Sequence, residues 1–236
     1  MKKWIFAIAA AAVILAAVLL TRTPSDGKVD ETLSAEQNMT LMIEGLPEEI
    51  PHSLESVPAE TGENSMEAFT IYVDEECYVM TVEDGVTYIR AIVSLPTEQD
   101  IRDSNSRLLE GLSPEEEEAE VRRMLAEQLA YINALPPCEI EIRHLPDTSP
   151  AAAAEAARAS MAAEWDVSEM MEWSSHDGLL FQAFGGTAWD SPCQALYFTD
   201  DGGEGAYQLT VRYFVEAAEG HGSRLKAMLE TFALAG

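Results

Sequence analysis

The side chains that could do chemistry in this chain are few, and their spacing limits what each can be. Ser175, His176 and Asp177 stand together before Gly178 and hold the residue types of a nucleophile, a base and an acid. Neighbours in sequence seldom point at one another, and the Gly-x-Ser-x-Gly turn that exposes a nucleophile is missing. The run reads as a surface loop. His221-Gly222-Ser223 reads the same way, as a loop entering a last helix with Ser223 as its cap.

Zinc asks for four Cys or His ligands in short paired spacings. Cys138 and His144 lie six apart, hence on one face of a strand, but Ile140 and Ile142 share that face and make it a core face. Cys77, Cys138 and Cys193 allow at most one bridge, which excludes a disulfide scaffold; they read as buried thiols or as a Cys138 to Cys193 bridge. Asp200, Asp201 and Glu204 sit in a glycine-rich loop without the twelve-residue EF-hand spacing, so a hairpin turn accounts for them. No catalytic residue, metal ligand set or cofactor site is assigned on these grounds.

The segment from Trp165 to Trp189 concentrates three tryptophans, Met170, Met171, Phe181 and Phe184. Such rings fill a core, or, where exposed, meet a partner. Under the second reading Trp173, His176 and Trp189 are the contact residues.

The elements that must position these residues follow from periodicity. Alternation predicts strands over 39–47, closed by a Gly-Leu-Pro turn, and over 69–73, 77–82 and 86–94, with Asp84-Gly85 as a hairpin turn. The polar stretch after residue 51, broken by Pro58 and Gly62, reads as irregular. A helix is expected over 97–110. A second is marked by Ser113 as cap, Pro114 at the first position and Glu116 completing a capping box, and it runs until Pro136 and Pro137. Glu115 to Glu118 fall in its first turn, where the helix dipole favours negative charge, so the acidic run needs no ligand to explain it. Strands over 138–146, 179–186, 193–199 and 206–216 follow, with a helix after Ser149 and another from Ser223.

The order of elements starts again near residue 138. Leu-Pro closes a strand in both halves, and Cys77 and Cys193 each open a strand that runs into an acidic, glycine-containing turn. The expected fold class is α+β, with two similar antiparallel-sheet-plus-helix units, a tandem duplication, behind an N-terminal membrane helix. The expected boundaries are 1–22 for a signal-anchor segment, 23–37 for a flexible tether, 38–135 for the first unit with a linking helix at 114–135, and 136–236 for the second.

Lys2 and Lys3 precede an unbroken apolar run from Trp4 to Leu20, the order of an export signal. The small-x-small pattern of a cleavage site is poor at its end and no cysteine stands there for lipid attachment, which favours an uncleaved single-pass anchor over a cleaved signal and secretion. The lysines orient it with the bulk of the chain outside the cytoplasm. Once Lys2, Lys3 and Arg22 are set aside, 11 of the 14 basic residues face all 42 acidic ones, a net charge of −31 against −28 for the whole chain. That charge repels nucleic acid and suits a partner protein with a basic surface. The function expected is a non-catalytic, membrane-tethered, extracytoplasmic binding or scaffolding protein. An extracytoplasmic hydrolase built from scattered acids and histidines, or a cation-binding module, stands second.

Overall fold

The computed structural model describes residues 33–59 and 68–235. The membrane helix expected over 1–22 and the tether expected from residue 23 lie outside them, apart from the tether's last residues.

Those last residues, Glu36 and Gln37, already belong to β1 (Glu36–Ile43), which pairs antiparallel with β2 (Leu46–Val57). The turn between them is Glu44-Gly45, at φ 50° and 78°, two left-handed residues in the geometry that matches strand twist. The segment after this turn, expected to be largely irregular, is a strand. Its prolines are tolerated for a geometric reason. Counted from the closing pair Ile43 and Leu46, Pro47 and Pro51 fall opposite Met42 and Asn38, at the pairs that exchange no backbone hydrogen bonds. The next strand joins β2 only from Ser53 onward, so neither ring removes a donor that a ladder uses.

Next come β3 (Phe69–Val73), β4 (Tyr78–Glu83) and β5 (Val86–Ala91), with Asp84-Gly85 forming the expected hairpin turn at φ 53° and 75°. The helix expected over 97–110 is two: α1 (Glu98–Ser104) and α2 (Ser106–Leu109), broken at Asn105, whose side-chain amide donates to the Ile101 carbonyl at 2.9 Å. A longer helix follows, α3 (Pro114–Ala134), and both capping boxes, Thr97 with Asp100 and Ser113 with Glu116, are formed. Ile101, Leu109 and Val121 hold this helical excursion together.

The chain continues through β6 (Glu139–Leu145), α4 (Pro150–Met161), β7 (Asp166–Val167), β8 (Met171–Trp173), β9 (Gly178–Phe184), β10 (Pro192–Asp200) and β11 (Ala206–Phe214). A 3-10 turn, Val215–Ala217, and a π turn, Ala218–Gly222, lead into α5 (Ser223–Leu229), and β12 (Ala233–Leu234) closes the chain.

The fold is α+β with two sheets. One has the order β1-β2-β3-β12; the other runs β4-β5-β6-β11-β10-β9-β7, with β8 also on β9. Because β5 pairs with β6, strands from either side of residue 136 share one sheet. Directly paired residues project to the same face. Ile89, Ile140, Leu209 and Tyr197 therefore make the inner face, against Phe69 and Ile71 of β3 and Leu225, Met228 and Leu229 of α5. On the outer face α4 covers β9 and β10, where Ala153 and Ala154 bring it close to Phe181, Leu196 and Phe198. Small residues permit that approach, and the burial of three large side chains, each about 1.5–3 kcal/mol, holds it.

Candidate functional site

Trp173 and Trp189 have opposite fates. Trp173, at the end of β8, is 2% exposed; its ring stacks on His176 at 3.9 Å and meets Tyr197 edge-on at 5.0 Å, and its indole N–H donates to Glu230 Oε1 at 3.3 Å. Trp189, in the β9–β10 loop, is 45% exposed and stacks on Tyr131 of α3 at 5.7 Å; Tyr131 is itself 51% exposed. The aromatic segment thus divides: Trp173 and Phe181 are core, Trp165, Met170 and Phe184 are half-buried, and Met171 and Trp189 face solvent. Ile92, Val93, Leu95, Leu108 and Leu112, all in the excursion between β5 and β6, are exposed as well.

His176 lies in the β8–β9 turn, where Asp177 takes φ 47°. Gly178 is required next, because a Cβ there would strike the Phe198 carbonyl of β10. Contrary to the expectation for adjacent residues, Ser175 and His176 do meet, with His176 Nδ1 and Ser175 Oγ 2.9 Å apart. The chemistry is nevertheless not that of a triad. Ser175 donates to Glu230 Oε2 at 2.5 Å, and His176 Nε2 faces the Phe232 carbonyl at 2.8 Å. The carboxylate thus holds the hydroxyl, where a triad uses it to orient the base. The cluster ties the segment after α5 to the β8–β9 turn.

His144 and Asp201 form a second, mostly buried pair, Nε2 to Oδ2 at 2.8 Å. Asp201 Oδ1 also accepts from the N–H groups of Gly203 and Gly205, at 2.8 and 3.0 Å. Burial opposes ionisation of Asp201, but the His144 and backbone hydrogen bonds outweigh it and hold the carboxyl below its ordinary value. Asp200 accepts from Gly202 N–H at 2.6 Å. Both carboxylates are engaged in shaping the β10–β11 turn, and among the described residues no group of three Asp, Glu, His or Cys side chains is placed to hold a metal.

A third cluster was not legible in the sequence. The π turn carries the His221 ring to Tyr78, Nδ1 to Oη at 2.7 Å. Burial pushes the Tyr78 phenol far up, so its O–H is the donor; burial first, then Arg224, pulls His221 down. Beside them the fully buried Asp74 pairs with Arg224 at 2.8 Å, and Arg224 reaches Glu48 at 3.2 Å. The proximity of residues 74, 78, 221 and 224 leaves no local sequence signal.

All three cysteines are free thiols. Register explains why the Cys138 to Cys193 bridge does not form. Cys193 pairs with Tyr213 of β11, and Cys138 approaches the same strand from its other edge, bonding to the Phe214 backbone. A strand between them sets them about 9.6 Å apart, beyond the reach of a disulfide. Burial raises the Cys138 thiol to about 11 and also raises Cys77 and Cys193, so none is an activated nucleophile.

Two clefts of about 320 Å³ flank α4. One is apolar, between α4 and the β7 region, with Val167, Met170 and Leu179 in its wall. The other opens between α4 and β11. Compared with known proteins, the chain matches no family model and no curated protein. Among the described residues no helix is long and apolar enough to cross a membrane.

Proposed function

We propose that this chain is a membrane-tethered binding or scaffolding module outside the cytoplasm, without catalytic activity of its own, that meets a partner protein through the Tyr131–Trp189 pair. The observation that carries this reading is the stacking of those two half-exposed rings at the end of a helix that carries Glu115 to Glu118 in its first turns. Exposed aromatic rings suit the dry centre of an interface, and the chain's excess of acidic residues, 42 against 14 basic, suits a partner with basic groups. The membrane anchor is the apolar run Trp4 to Leu20, left uncleaved. The tandem relation of the two halves is part of the same proposal; hairpins β4–β5 and β10–β11, each preceded or opened by a cysteine and closed on an acidic turn, flank β6 on one sheet and support it.

The test places a photo-crosslinking residue at Trp189 of the full chain in native membranes, with a second at exposed Met42 as control. A discrete adduct from position 189, weakened by Tyr131→Ala and absent from position 42, is the expected result. Equal labelling from both positions, or none from 189, would remove the contact surface. Intact-mass measurement tests the anchor separately, since a mature chain starting beyond Arg22 would leave a secreted domain.

A further inference from the structure

The cleft between α4 and β11 has a polar floor and an apolar wall. Met161 and Ala157 of α4 and Leu196 of β10 make the wall, with Trp165 at its end. Gln194, Gln208, Thr210 and Arg212 make the floor, on the outer face of the large sheet. Arg212 is fixed by β6: its Nη1 donates to Glu139 at 2.9 Å and approaches Glu141 at 2.8 Å. The other oxygens of those carboxylates are taken by Arg90, at 3.4 Å, and Arg143, at 3.0 Å, and Arg90 also pairs with Glu83 at 2.6 Å. Three guanidiniums therefore answer three carboxylates.

That balance selects the ligand. An anion on Arg212 would lie beside Glu139 and Glu141, which already neutralise that guanidinium, and so would meet no unanswered positive charge. The groups still free to bond are neutral or already compensated. Among the described residues no chain partner is found for the Gln194 amide, the Ser160 hydroxyl or the Trp165 indole N–H, while Gln208 spends one N–H on Thr210 at 3.2 Å. Among the described residues no hydrogen bond engages Arg212 Nε or Nη2, and Arg212 lines the cleft. Planar amide and guanidinium groups match pairs of neighbouring hydroxyls, and an aromatic side chain beside them suits the C–H face of a ring. The cleft's volume lies at the lower end of the roughly 300–1,000 Å³ typical of ligand sites.

The geometry points to a binding site for a short neutral saccharide in the cleft between α4 and β11, with Trp165 under the sugar ring and Gln194 and Arg212 on its hydroxyls. The site shares no residue with the Tyr131–Trp189 surface and does not depend on it.

The experiment uses the full chain in a detergent without a sugar headgroup, with cellobiose and N,N′-diacetylchitobiose as probes and inorganic phosphate as the charged control. Saturation-transfer NMR should show transfer to the ring C–H protons of at least one disaccharide, and none that phosphate displaces. Gln194→Ala and Trp165→Ala should each weaken binding about tenfold or more. Among the described residues the Gln194 side chain has no hydrogen-bond partner, so its variant should keep the wild-type melting temperature and report on binding alone. No transfer from either disaccharide at about 20 mM, well above the millimolar range of weak sites, would overturn the proposal. So would transfer that Gln194→Ala leaves unchanged, or phosphate binding in place of the sugars.

Discussion

Trp173 and Trp189 carry the same side chain sixteen positions apart, and what surrounds each decides its worth. Trp173 fills the core against Tyr197 and spends its N–H on Glu230, so Trp173→Ala should cost about 3–5 kcal/mol in a denaturant melt. Trp189→Ala should stay within about 0.5 kcal/mol, as surface changes do. Similar losses for both would mean that the Tyr131–Trp189 stack is part of the core. A second contrast concerns His221. Its folded-state proton affinity is lowered by burial and by Arg224, with Asp74 opposing. The unfolded chain then binds more protons as pH falls through and below the ordinary histidine value, so this group takes stability away on acidification, until the folded value is passed. His221→Asn should flatten that part of the stability-against-pH curve between about pH 7 and 5. An unchanged slope would assign the acid sensitivity elsewhere. Tyr78→Phe, which leaves His221 Nδ1 without its donor, should cost about 1–2 kcal/mol at neutral pH.

Among the elements, α3 and β2 show why some local signals are decisive and others mislead. α3 starts where Ser113, Pro114 and Glu116 say it must, because a capping box satisfies donors that nothing else in the helix can reach. The excursion it belongs to is held by a small cluster around Ile101, Leu109 and Val121, so its helices should open locally without the sheets. Ser113→Ala should therefore speed amide exchange in the first turns of α3 about fivefold, with β6 and β11 unchanged. Uniform acceleration would show that α3 unfolds only with the whole domain. β2 went the other way: a Gly-Leu-Pro turn and an irregular polar stretch were expected where the strand runs, and Pro47 and Pro51 fall at positions in the β1 register that spare every ladder bond. Proline reports on one residue's donor; the partner strand decides whether that donor was needed.

Across the whole molecule the net charge of −28 should make stability depend on salt. Repulsion among excess carboxylates acts over the screening length, about 10 Å at 0.1 M, so raising sodium chloride from about 0.02 to 0.5 M should raise the melting temperature by a few degrees. A flat response would mean that the acidic side chains are already spaced or paired well enough to cancel.

The sequence by itself determined the alternation that makes β3, β4, β6, β10 and β11 strands, the glycine turns that fold them back, and the caps that start α3 and α4. Each is a short-range matter of side-chain period, left-handed φ or an orphan N–H, and is written within a few residues. The two sheets, the pairing of β5 with β6, and the strand that separates Cys138 from Cys193 came only with tertiary structure. So did the clusters Ser175–His176–Glu230 and Tyr78–His221 and the cleft beside α4. These join residues dozens to more than a hundred positions apart, and no local period records which strand lies beside which; that choice is made by how the buried faces fit together in three dimensions.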